Sequence, residues 1–231
     1  MWLGRFYLIF LIPYTLFCSI GAVLAGLVDR SGKWSHAWAR LWSYGCVKAA
    51  GVRLVVDGTD KIPTDGPVIY MGNHQGNFDI HVLSIAIPRR FSWIAKAELF
   101  RVPVFGGAMR RAGYVPLDRS DGRKALKSMK EAAARIASGT SVVIFPEGTR
   151  STDGNLLPFK RGAFLLAAKA GVPIVPFTIN GSRRANPAHT LELNPGTIHV
   201  TFSDPIPVAG EKEDVLLERV REAVTARLEA P

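Results

Sequence analysis

The chain is poor in cysteine and in acid. Of its 231 residues only Cys18 and Cys46 carry thiols, with no C-x-x-C pair and no Cys/His cluster, so neither a disulfide framework nor a zinc site is supported. No G-x-S-x-G string occurs, which removes the strained nucleophile elbow of the serine hydrolases. G-x-x-x-x-G-K-[ST] and G-x-G-x-x-G are missing too, and with them the glycine-rich phosphate cradles of nucleotide-binding enzymes. No metal and no bound cofactor is expected. Nineteen Asp and Glu face 29 Lys and Arg, a formal net charge of +10. Such a balance suits nucleic acid, an anionic membrane surface or a phosphorylated substrate. A hydrophobic content of 48% tilts the choice towards membrane and away from nucleic acid.

Phe6–Val28 is uncharged for 23 residues between Arg5 and Asp29. As a helix it would extend roughly 34 Å, enough to cross a hydrocarbon core. A cleaved leader fits poorly, since the run is long for one and only Ala22 and Ala25 suggest a cleavage site. A spanning helix and one lying in a single leaflet both remain open, and Pro13 can kink either. Trp34–Ala49 is helix-like as well, with Trp34, Trp38, Trp42 and Tyr44 able to sit at headgroup level. Lys33, Arg40 and Lys48 after the apolar run favour a cytoplasmic main domain on an inner membrane. Residues 1–50 are therefore expected to form a two-helix membrane anchor, and 51–231 one domain.

From residue 52 the pattern alternates. Val52–Val56, Val68–Met71, Ser92–Ile94, Tyr114–Leu117, Ser141–Phe145, Ile174–Ile179 and Ile198–Phe202 read as strands, being rich in Val, Ile and aromatics. Helices are predicted near 78–87, 123–137, 160–170 and 212–229. The expected fold is α/β, a mostly parallel central sheet flanked by helices.

Two blocks follow strands directly, where α/β sheets place reacting groups. In the first, Asn73-His74-Gln75-Gly76-Asn77-Phe78-Asp79, His74 and Asp79 are five apart. One regular helix would not bring them together, but a loop entering a helix would. Asp79 would then fix the imidazole tautomer and leave the other nitrogen to take a hydroxyl proton. Alone, the block fits a turn histidine and a helix-capping aspartate at least as well. The second block, Phe145-Pro146-Glu147-Gly148-Thr149-Arg150, adds a close-approach glycine, a hydroxyl and a guanidinium matched to phosphate. Alone it fits a surface turn with a solvated Glu–Arg pair.

With these blocks the chain resembles the glycerolipid acyltransferase family, most of all the bacterial 1-acyl-sn-glycerol-3-phosphate acyltransferases. The family's N-H-x-x-x-x-D is Asn73 to Asp79, and its second block is matched by Lys96, Glu98, Leu99, Pro103, Gly106, Gly113 and Arg119. FPEGTR stands at 145–150, and the apolar fourth block is Val172–Pro176. The resemblance implies transfer of a fatty acyl group from acyl-CoA or acyl carrier protein to the sn-2 hydroxyl of lysophosphatidic acid. His74 and Asp79 would be catalytic, and Asn73, Lys96, Arg119, Glu147, Gly148, Thr149 and Arg150 would bind substrate. Oxyanion donors are expected near Gly148 or in the loop at 73–76. Val172–Pro176 is expected to be buried strand and tunnel wall. The alternative is acylation of another lyso-lipid, such as a lyso-ornithine lipid or another lysophospholipid.

Overall fold

The computed structural model describes residues 2–118, 122–187, 190 and 192–230. In chain order it runs α1 (Trp2–Val28), α2 (Lys33–Ala49), β1 (Val52–Asp57), β2 (Ile69–Gly72), α3 (Asp79–Ala86), β3 (Phe91–Lys96), α4 (Phe105–Arg111), β4 (Val115–Leu117), α5 (Gly122–Ala137), β5 (Ser141–Ile144), α6 (Arg161–Ala170), β6 (Ile174–Asn180), α7 (Ser182–Ala185), β7 (Gly196–Phe202) and α8 (Glu213–Thr225). All seven expected strands are present, and so are the four expected helices. The additional short helices α4 and α7 have too few residues to show a period.

The strands form one sheet in the order β1-β7-β6-β2-β5-β3-β4. Every neighbouring pair is parallel except β6 with β7, which run antiparallel with Phe177 opposite Phe202. Side chains alternate across the pleat. Tyr70, Val143, Val175 and Phe177 enter one apolar cluster together with Phe78, Leu83 and Trp93. Ile69, Met71, Val142, Ile144 and Ile174 enter the other, with Phe164, Leu166, Leu216 and Val220. Both faces are covered, which is why these strands read as continuous apolar runs.

α1 lies along the domain for nearly its whole length. Tyr7 meets the Phe78 ring at 6.2 Å, and the Tyr14 hydroxyl donates to Leu41 O at 2.7 Å. Trp42 Nε1 donates to Thr15 Oγ1 at 2.8 Å, Ser35 Oγ to Ala22 O at 2.8 Å, and Arg111 Nη1 to Gly26 O at 3.1 Å. Its other face leaves Ile9, Ile12, Leu16, Phe17, Ile20, Leu24, Leu27 and Val28 exposed. The aromatics of α2 divide: Trp34 and Tyr44 are exposed, whereas Trp42 turns inward to Thr15, and Trp38 packs edge-on against Phe17. Only the first two are placed as interfacial anchors would be.

Candidate active site

β2 ends at Gly72, and the chain loops out of the sheet before α3 starts at Asp79. Asn73 is fully buried, and its side chain acts as a surrogate backbone unit: Nδ2 donates to Ile179 O at 2.8 Å and Oδ1 accepts from Ile179 N–H at 2.7 Å. This ties the loop to β6. Both polar atoms of Asn73, an expected substrate ligand, are thus engaged inside the fold.

Asp79 is also fully buried, in the first turn of α3. Its Oδ2 lies 2.6 Å from His74 Nδ1 and accepts the N–H groups of Gln75 at 2.7 Å and Gly76 at 2.9 Å. The loop-into-helix geometry thus closes a pair that one helix would have held apart. A carboxylate can only accept, so Nδ1 carries the proton and Nε2 is left with its lone pair. The imidazole also stacks on Phe145, centroids 3.9 Å apart and planes 9° from parallel, and Trp93 stacks behind Phe145 at 5.8 Å. Hydrogen bond and stack together hold the ring against rotation about both side-chain torsions.

The second block leaves β5 beside this loop, since β5 and β2 are neighbours in register. Glu147 is 2% exposed. Its Oε1 accepts the His74 N–H at 2.6 Å and its Oε2 the Leu157 N–H at 2.9 Å. Burial pushes its carboxyl up to about 7, while those two amide bonds pull the other way. Glu147, expected as a substrate ligand, braces the two loops and is not among the residues that line the cleft. Ser151 N–H donates to His74 O at 2.8 Å, closing the brace from the other side. The expected oxyanion donors are engaged as well: the 74, 75 and 76 amides bond Glu147 and Asp79, and Gly148 N–H bonds Phe145 O at 3.0 Å. Gly148 adopts φ 76°, a conformation that favours glycine, and so lets the chain turn under Thr149.

His74, Gly148, Thr149 and Arg150 line a cleft of about 730 Å³. Arg150 Nη1 donates to Asn77 Oδ1, which places the guanidinium on the same wall as the imidazole. Lys96 stands at the rim, its side chain 73% exposed and its Nζ 3.7 Å from Glu98 Oε1. Arg119 lies outside the described residues. Val172–Pro176 does not line the cleft; Ile174–Pro176 are buried mid-sheet between β2 and β7. From the polar end the cleft continues between α1, α2, β3 and α4 over Ala22, Trp38, Ala39, Trp93, Phe105 and Met109, an apolar wall.

Three parts of the site are not singled out by the sequence. Phe145 opens the second block, but nothing there marks it as a partner for the imidazole. Asn77 lies inside the first block without a role of its own. The α2 wall reads as anchor alone. Its signal was present, because Ser35, Trp38, Ala39, Trp42 and Ser43 follow i, i+3, i+4, i+7, i+8 and so mark one helix face.

Comparison with known proteins places the chain in a family. A chloroplastic 1-acyl-sn-glycerol-3-phosphate acyltransferase of Brassica napus is 38% identical over 201 residues, 86% of this chain and 57% of that protein. A 1-acyl-sn-glycerol-3-phosphate acyltransferase of Haemophilus influenzae is 36% identical over 159 residues, covering 67% of this chain and 65% of its own length. This chain therefore spans little more than half the length of the plant relative. The crystal structure of the 1-acyl-sn-glycerophosphate acyltransferase of Thermotoga maritima superposes with a TM-score of 0.87 at 26% identity, covering 98% of this chain and 93% of that one. The acyltransferase family model matches residues 53–180, which hold both loops and the sheet between them. With more than half its length matched, the chain belongs to the acyltransferase family.

Proposed function

We propose that this protein transfers a fatty acyl group from an acyl thioester to the sn-2 hydroxyl of 1-acyl-sn-glycerol-3-phosphate, forming phosphatidic acid. The observation that carries the reading is His74, oriented by Asp79 at 2.6 Å, on one cleft wall with the Arg150 guanidinium. A base, a phosphate-matched cation and a long apolar channel are what a hydroxyl, its neighbouring phosphate and a fatty chain require.

In this reading His74 Nε2 takes the proton of the acceptor hydroxyl as its oxygen attacks the thioester carbonyl. Asp79 steadies the imidazolium that results. The tetrahedral intermediate collapses with loss of the thiolate, which recovers the proton from His74. Arg150 and Lys96 hold the phosphate, Thr149 offers its hydroxyl at the same wall, and Glu147 and Asn73 keep the two loops in register. Coenzyme A or acyl carrier protein supplies the thioester, and no cofactor takes part.

The inner side of α1 is occupied by protein from Tyr7 to Gly26, and its outer side is apolar. A helix bound lengthwise to a domain that carries polar groups fits within one leaflet better than across two. Residues 1–50 then seat the 51–231 domain on the cytoplasmic face of a bacterial inner membrane, with the cleft open to lipid.

Purified protein assayed with a panel of lyso-lipids and both thioester donors tests the reading. Turnover of lysophosphatidic acid with release of free thiol is expected. Turnover of a zwitterionic acceptor with none of the glycerol phosphate acceptor would overturn it.

A further inference from the structure

We propose that Asn77 is a positioning residue for the acceptor phosphate, acting through Arg150; this rests on the reading of Arg150 as a phosphate ligand. Asn77 uses both ends of its side-chain amide. Nδ2 donates to Asn186 Oδ1 at 2.7 Å and to Pro187 O at 3.0 Å. Two acceptors on that side settle which way the amide faces, so Oδ1 is the atom turned to Arg150 Nη1. The backbone is pinned at the same place, with Asn77 N–H donating to Asn186 O at 3.2 Å and Gly76 bridging Pro187 in antiparallel fashion. Asn186 Nδ2 is in turn tied to Glu192 O. Arg150 thus hangs from a post braced by three elements, the 73–78 loop, the end of α7 and the segment before β7.

The chemistry explains why the post is an amide. Arginine has a long side chain with many rotamers, and a fixed acceptor removes much of the cost of ordering it before substrate arrives. A carboxylate would do the same but would also neutralise the charge the phosphate needs. Among the described residues no carboxylate forms an ion pair with Arg150. Lys96, by contrast, lies within 3.7 Å of Glu98. A neutral oxygen from Asn77 aims the guanidinium and leaves its charge undiminished, on the wall that also carries His74.

The test is steady-state kinetics with lysophosphatidic acid in mixed micelles for wild type, N77A, N77D, R150A and N77A/R150A. A hydrogen bond to a charged group is worth roughly tenfold in affinity or more, so N77A is expected to raise KM about tenfold with a smaller change in kcat. N77D is isosteric and keeps an acceptor for Arg150, yet is expected to raise KM at least as far, because it cancels the charge and loses both Nδ2 donations. In the R150A background the N77A change is expected to add less than about twofold to the loss of kcat/KM. Unchanged KM in N77A, wild-type KM in N77D, or losses that multiply in the double variant would each overturn the proposal. A wild type that acylates no lysophosphatidic acid would instead sink the functional reading itself, and the two failures are distinguishable within one experiment.

Discussion

The cleft joins two regions built on opposite principles. At its polar end, atoms are placed by directed bonds: one Asp79 oxygen gathers three donors, both Glu147 oxygens accept backbone amides, and Asn73 copies a strand. At its apolar end, α1 and α2 meet through interlocking shape, with three side-chain hydrogen bonds along the seam. The Cβ that Gly21 lacks would lie 2.6 Å from the Trp38 ring, and the one Gly45 lacks would lie inside contact distance of the Tyr14 ring. Directed bonds hold an imidazole to the geometry that proton transfer needs. Close packing of small against large residues makes a largely apolar wall that a flexible chain can slide along, interrupted by the small hydroxyls of Ser19, Ser35 and Ser43. Chemistry belongs to the first region, and lipid to the second.

Substitutions that change one region and spare the other break this division most sharply. The largest effect is expected at Asp79→Ala, which frees His74 from its tautomer and leaves the Gln75 and Gly76 amides without their acceptor. Turnover should fall by at least about a hundredfold, the low end for general-base catalysis, while vesicle co-sedimentation is kept. Gly21→Val works from the other end. The added side chain must push α1 off Trp38, at a cost of about 1–3 kcal/mol of stability. Thermal melts should show that loss, and donors of different chain length should change in relative rate more than in pH profile.

Glu147 gives a smaller, pH-dependent effect. Its carboxyl titrates near 7 in the folded chain against an ordinary value of 4.5. Between those values the unfolded chain releases its proton and the folded one retains it, so this group's contribution to stability falls as pH rises from 4.5 to about 7. Thermal melts across that window should show wild type losing stability relative to Glu147→Gln, and parallel curves would contradict the burial argument. The smallest effect is expected at Lys96→Ala. An exposed lysine near Glu98 should contribute less than about 1 kcal/mol, seen as a rise in KM of about fivefold at most that shrinks with salt.

The same division explains what could be read from the sequence. Seven strands and four helices were legible because they are long enough to show a period or a β-rich run. The polar loops were legible because His74, Asp79 and Arg150 are distinctive residue types at fixed spacing after strands. Which way Glu147 and Asn73 face was not, since an inward and an outward carboxylate look alike until burial and amide partners are known. The place of Trp38 and Trp42 on the cleft wall is not legible for the converse reason: a tryptophan suits a membrane interface and an apolar channel equally, and the fold of α1 over α2 is needed to bring them there. The antiparallel seating of β7 against β6 depends on pairing across the sheet, which local pattern does not encode.

The most direct measurement is product analysis by mass spectrometry for wild type and His74→Ala, given lysophosphatidic acid and an acyl thioester. Wild type should form phosphatidic acid in step with free thiol, and His74→Ala should bind vesicles as wild type does yet form the product at least about a hundredfold more slowly. Phosphatidic acid formed by His74→Ala at the wild-type rate would contradict the account.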